Sequence, residues 1–231
     1  MRGECQGVGG GVPRAGNPVN ESDLRDAVVA AARGMNTAGV NRGTSGNLSV
    51  RVGDGMLITP STVAYEHLTP SGLVSMALDG SVRSPASARP STEWRLHAAI
   101  YQHRADVQAV LHAHPRYATA LACVRRGIPA FHYMVAVAGG EDIRCSEYAT
   151  VGTAALACAA VAALEGRRAC LLANHGIVVC GRSPAEALAL AVEVETLAAQ
   201  YVSAIQVGEP VLLPDEEMRR VCAAFEDYRR A

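Results

Sequence analysis

Asn47-Leu48-Ser49-Val50-Arg51-Val52-Gly53-Asp54-Gly55-Met56-Leu57-Ile58-Thr59 is the stretch that decides the fold. Residues 47–52 and 56–59 alternate in the manner of two strands, and Gly53-Asp54-Gly55 between them is a hairpin signal. The chain therefore holds an antiparallel pair. Helical and strand-like segments alternate on both sides of it. A helical pattern runs over Glu21–Thr37, with Leu24, Val28, Ala31 and Met35 on one face and Gly39 ending it. Beyond a polar, proline-bearing loop at 79–91, the pattern predicts a helix over Thr92–Gln102 capped by Ser91 or Thr92. A strand over Val107–Ala113 and a short helix over Tyr117–Val124 follow. Met134–Ala138 reads as a strand and Thr153–Leu164 as an alanine-rich helix. Ala169–Ala173 and Gly176–Cys180 read as strands on either side of Asn174-His175. Pro184–Ile205 is a long helix with proline in its first turn, and Pro214–Tyr228 is a last helix with acids at its positive end. The expectation is one α/β domain over residues 20–231, with a mixed or antiparallel sheet covered by helices. Residues 1–19, rich in Gly, Pro and Arg without apolar periodicity, read as a flexible tail.

Composition narrows the chemistry. Of 231 residues, 49% are hydrophobic, enough for a sizeable core. The net charge of −1 and the lack of a basic run argue against nucleic acid or an anionic membrane as partner. No apolar stretch is read as reaching the length of a membrane span. The seven cysteines are scattered without a C-x-x-C pair, which fits reduced thiols in a cytoplasm. All 21 basic residues counted as Lys+Arg are arginines. Without lysine there is no Schiff base, and no lysine-bearing phosphate loop. Any carbanion formed here needs another electron sink, and a metal ion is the obvious candidate.

Leu111-His112-Ala113-His114-Pro115 follows an apolar strand. Side chains two apart on a strand share a face, so both imidazoles can reach one ion. Taken alone, the pair equally describes two histidines at a strand end. His175 projects from a break between two apolar segments. Three histidines plus an open position describe a catalytic zinc site. His67, His97 and His103 read as surface or packing residues, and His132 as a neighbour of the site. Gly43-Thr44-Ser45-Gly46-Asn47 offers backbone N–H groups to an anion, or is an ordinary tight turn. Ser91-Thr92 is an anion-binding helix start, or an ordinary cap. Thr59-Pro60-Ser61-Thr62 adds hydroxyls.

Taken together, these motifs resemble the class II aldolase/adducin family, on its fuculose-phosphate aldolase side. The resemblance is carried by Asn41–Arg51, Gly55–Ser61, Pro90-Ser91-Thr92-Glu93-Trp94-Arg95, His112-Ala113-His114, Ile128–Met134 with Gly139-Gly140, Asn174-His175-Gly176, and the helix bearing Glu193-Val194-Glu195. It implies a three-layer α/β/α sandwich and a homotetramer with active sites between subunits. It implies one Zn²⁺ on His112, His114 and His175, with Glu93 as the acid/base carboxylate and a candidate further ligand. Burial is expected to raise the pKa of that carboxylate. By the same resemblance Gly46, Asn47, Ser61, Thr62, Ser91 and Thr92 hold a substrate phosphate. Tyr133 gives a proton to an aldehyde oxygen across a subunit boundary, and Tyr228 is a candidate for a closing tail. Thr62 stands where the family often has glycine.

The implied activity is reversible, zinc-dependent cleavage of a ketose 1-phosphate, of the L-fuculose 1-phosphate type, to dihydroxyacetone phosphate and a small aldehyde such as lactaldehyde. A 5-deoxyribulose-phosphate aldolase fits every motif equally. Epimerases and dehydratases share the metal motif, but epimerases usually carry aspartate where Glu93 stands. A non-catalytic adducin-like module would be expected to lose the metal histidines.

Overall fold

The computed structural model describes residues 20–83 and 89–230, the side chains of 228–230 excepted. The expected tail, part of loop 79–91 and the side chain of Tyr228 lie outside the described residues. In chain order the elements are α1 (Glu21–Thr37), β1 (Asn47–Val52), β2 (Gly55–Ile58), β3 (Val74–Ala77), α2 (Trp94–His103), β4 (Ala109–Ala113), α3 (Arg116–Cys123), α4 (Ala154–Ala163), β5 (Ala169–Leu172), β6 (Gly176–Gly181), α5 (Pro184–Val207) and α6 (Asp215–Arg230). The strands form one six-stranded sheet in the order β3-β2-β1-β4-β6-β5. Every neighbouring pair is antiparallel.

The pleat sorts the strand residues into two cores. Leu48, Val50, Leu57, Leu111, Ile177 and Val179 pack with α1, α3, α5 and α6. Ile58, Met76, Val110, Cys170, Val178 and Cys180 pack with α2 and α4. Helices thus cover both faces, and the three-layer sandwich follows from period-two burial along each strand.

Local chemistry sets the helix ends. Asn20 caps α1 by accepting from the Ser22 amide at 3.3 Å, and Ser183 caps α5 by accepting from the Glu186 amide at 3.1 Å. Helix α5 is long and apolar enough to cross a membrane by length and composition, contrary to the reading of the sequence. Here it is a core helix: Ala187, Leu190, Ala191, Val194, Leu197 and Ala198 are buried in the core it shares with β4 and β6.

Two expectations need correction, and one strand has no counterpart among them. Met134–Ala138 is not a strand; Tyr133–Ala138 is a 3₁₀ helix. The His132 ring accepts from the Met134 amide at 3.1 Å and starts the turn, and Gly139 ends it at φ +92°. Strand β3 went unread because it is a four-residue edge strand. Helix α2 starts at Trp94 instead of Thr92. Glu93 holds the cap position at φ −98°, ψ 15° without capping through its side chain, and Ser91 Oγ accepts the Glu93 amide at 3.3 Å.

Candidate metal-centred active site

The site gathers at one end of the strands. β1 begins there at Asn47, β2 ends at Ile58, β4 ends at Ala113 and β6 begins at Gly176. The register pairs Asn47 with His112 and His112 with Val178. Because Leu48 and Leu111 face the α5 layer, the side chains of Asn47, Ser49 and His112 face the α2 layer. His175 sits in the β5–β6 turn. The residue before it, Asn174, takes a left-handed conformation at φ +55°, held by donation from its Nδ2 to the Cys123 carbonyl and from Arg125 Nε to its Oδ1.

The three expected histidines converge. Their ligand-capable atoms lie within 4.8 Å of one another. The Nε2 atoms of His112 and His114 are 2.9 Å apart. Two ligands roughly 2.0–2.1 Å from a tetrahedral zinc ion lie roughly 3.3 Å apart, so this spacing suits one small cation. His112 is fully buried, and its Nδ1 sits 2.8 Å from the Ile177 carbonyl. A carbonyl only accepts, so Nδ1 carries the proton and Nε2 is left to ligate. Glu93, only 4% exposed, places Oε2 3.1 Å from His112 Nε2 and Oε1 3.5 Å from His175 Nε2. Its Oε1 is buried without a hydrogen-bond partner. An orphaned carboxylate oxygen beside three converging imidazoles fits a divalent cation better than it fits an inert core.

The electrostatics agree for the imidazoles. Burial, then the charge of His112, pulls His114 down to about 4. The same causes, in the same order, pull His175 down to about 4. Both rings are therefore neutral near pH 7, the form a metal needs. Glu93 departs from expectation. Burial is the largest influence and raises its carboxyl, but the hydrogen bond and charge of His112, the charge of His175 and the Asn47 amide outweigh it and hold the group at about 2. The neighbours win because a carboxylate surrounded by donors is stabilised in its charged form.

The remaining site residues divide. Loops 59–61 and 89–91 pair at the same end of the strands, with Ser61 N donating to Arg89 O at 2.8 Å and Ser91 N to Thr59 O at 3.1 Å. This brings the Ser61-Thr62 and Ser91-Thr92 segments together beside β1. Thr62 is exposed and keeps a glycine-type backbone at φ +64°. Asn47 is buried, and its amide is engaged at both ends: Nδ2 donates to Glu93 Oε2 at 2.9 Å, and Oδ1 lies 2.6 Å from His97 Nε2. Gly46 is required by packing, because an added Cβ would lie 2.8 Å from the His112 carbonyl oxygen. Tyr133 is 51% exposed with its ring stacked on His132; among the described residues no hydrogen bond or ring contact joins it to the three imidazoles.

The sequence reading missed what lies behind Glu93. His97 is fully buried and joins Asn47 to Ser49, with Tyr101 beyond. A signal was present: Glu93, His97 and Tyr101 repeat every four residues along one helix face, opposite Asn47, Ser49 and Arg51 at every second residue of a strand.

Known proteins bear on this geometry. The family model described as "Class II Aldolase and Adducin N-terminal domain" matches residues 26–202. The chain is 52% identical over 211 residues to the 5-methylthioribulose-1-phosphate/5-deoxyribulose-1-phosphate aldolase of Rhodospirillum rubrum, covering 91% of this chain and 95% of that one. It is 43% identical to the L-fuculose phosphate aldolase of Escherichia coli, covering 91% and 97%. A solved L-fuculose 1-phosphate aldolase superposes with a TM-score of 0.86 at 43% identity, over 89% of this chain and 97% of that one. Sequence, fold and a three-histidine cluster thus agree that this chain belongs to the class II aldolase and adducin family and is one of its metal-dependent aldolases.

Proposed function

We propose that the domain formed by residues 20–231 reversibly cleaves a ketose 1-phosphate between C3 and C4. The products are dihydroxyacetone phosphate and a short aldehyde. A 5-deoxypentulose 1-phosphate, with or without a 5-methylthio group, is the first candidate, because the 52% identical relative carries that name. L-Fuculose 1-phosphate is the second, on the 43% identical relative. The single observation behind this reading is the convergence of His112, His114 and His175 on one point beside the buried carboxylate of Glu93.

Those three imidazoles would hold the cation, with Glu93 as a candidate further ligand, and three imidazoles beside an open position suit a catalytic zinc. Bound there, zinc supplies Lewis-acid stabilisation of negative charge on the ketone oxygen, the task that a lysine would otherwise perform. In the condensation direction Glu93, ionised beside the imidazoles, accepts the C3 proton of dihydroxyacetone phosphate; cleavage returns it. The segments at Gly46-Asn47, Ser61-Thr62 and Ser91-Thr92 fix the phosphate through amides and hydroxyls. Tyr133 donates to the aldehyde oxygen. Its exposure supports a homotetramer in which it completes a neighbour's site. The free cysteines are in keeping with a cytoplasmic setting.

A panel of ketose 1-phosphates, assayed for dihydroxyacetone phosphate with and without chelator, tests the reading. Product from a 5-deoxypentulose or fuculose phosphate, lost with chelator or in His114→Ala, is expected. Wild-type rates in zinc-stripped protein would overturn the metal assignment. Light scattering showing only monomer would overturn the tetramer.

A further inference from the structure

A line of hydrogen bonds runs from Glu93 into the layer between β1 and α2. Asn47 Nδ2 donates to Glu93 Oε2 at 2.9 Å. His97 Nε2 lies 2.6 Å from Asn47 Oδ1, and His97 Nδ1 lies 2.7 Å from Ser49 Oγ. Ser49 Oγ is 2.9 Å from the Tyr101 hydroxyl. All of these side chains are buried, and His97, Ser49 and Tyr101 are essentially dry.

Donor and acceptor chemistry orients the line. An ionised Glu93 can only accept, so Asn47 must turn Nδ2 toward it and Oδ1 away. Oδ1 can only accept, so His97 Nε2 carries the hydrogen. A neutral imidazole has one N–H, so Nδ1 accepts from Ser49, and Ser49 Oγ accepts from Tyr101. Burial favours the neutral ring and pulls His97 down to about 3.

We propose that His97 is a positioning residue for Glu93, acting through Asn47: its Nε2–H locks the Asn47 amide in the one sense that presents N–H to the carboxylate. Without it, Asn47 Oδ1 faces a dry interior unpartnered, and the amide is free to turn an oxygen toward Glu93. With it, Oε2 accepts from Asn47 while Oε1 has no hydrogen-bond partner, so the carboxylate presents a defined oxygen. This rests on the reading of Glu93 as the proton carrier.

Two measurements test it. In the wild-type full chain, long-range ¹H–¹⁵N correlation of the His97 ring reads the tautomer directly and needs neither turnover nor a variant. A protonated Nε2 and bare Nδ1 are expected from about pH 6 to about pH 8; a protonated Nδ1 overturns the proposal. In metal-loaded protein, His97→Phe keeps the volume and loses both bonds, whereas His97→Gln keeps a donor for Asn47. His97→Phe should lose about 10-fold in kcat, with KM moved less than about 2-fold and metal stoichiometry intact, and His97→Gln should regain most of that loss. Equal losses in the two variants, or unchanged kcat in His97→Phe, would reject a positioning role. Undiminished turnover in Glu93→Gln would instead remove the underlying reading of Glu93, a result distinct from either His97 variant.

Discussion

Replacing Gly176 with alanine perturbs the metal centre through one methyl group. Gly176 opens β6 directly after His175, and its φ is not positive, so alanine carries no backbone penalty there. The whole effect is steric. The added Cβ would lie 2.4 Å from the Ala113 carbonyl oxygen and 2.6 Å from His114 Cδ2. An ordinary contact begins near 3.4 Å. The β4–β6 ladder must therefore part by about 1 Å at the Ala113–Ile177 pair, or His114 must swing by a similar distance. Overpacking of this kind costs about 1–3 kcal/mol. Displacing a ligand by about 1 Å should also weaken metal binding by roughly 10–100-fold, the range for losing support around a metal ligand. Competition with a chelating indicator gives the metal affinity, and urea unfolding of the stripped protein gives the stability. Wild-type affinity together with a stability change under about 0.5 kcal/mol would refute the claim that Gly176 lets the two histidine-bearing segments approach.

Asn174→Ala keeps the strained φ of +55° but loses the side-chain bonds to Cys123 and Arg125, and should destabilise by about 1–2 kcal/mol in urea titration, whereas Asn174→Gly should cost less. Thr62→Gly relieves a left-handed threonine at φ +64° and should stabilise by up to about 1 kcal/mol, read as a raised Tm, without altering metal stoichiometry. In metal-stripped protein, stability should fall as pH drops from 6.5 toward about 4. His114 and His175 take up protons at 6.5 when unfolded but only near about 4 when folded, so the unfolded state binds more protons in that window. Glu93, lowered from 4.5 to about 2, adds a loss of the same sign below 4.5. Stability independent of pH across this range would contradict the buried, neutral imidazoles.

Much of this was legible in the sequence because it rests on period and spacing. The β1–β2 hairpin and helix α1 are where their patterns put them, since alternation and a capping Asn20 act locally. The histidine cluster was legible because i, i+2 on a strand is a geometric statement. The assignment of Met134–Ala138 failed because five apolar residues fit a strand or a turn equally, and the His132 ring decided between them. The start of α2 was misplaced because Glu93 leaves helical geometry to turn its carboxylate toward His112, a tertiary demand that local capping rules do not contain. For Asn47 the resemblance implies only a place near the substrate phosphate; its engagement with Glu93 and His97 depends on the packing of β1 on α2, which no local pattern contains.

The register that pairs Asn47 with His112 and His112 with Val178 makes the metal centre a checkpoint on folding. A slip of one residue between β4 and either neighbour would send His112 into the opposite helical layer, away from Glu93. Such a molecule could retain helices, strands and compactness and still fail to load a cation. Metal uptake would then count correctly zipped sheets, and added metal would drain misregistered chains toward the native ladder by mass action.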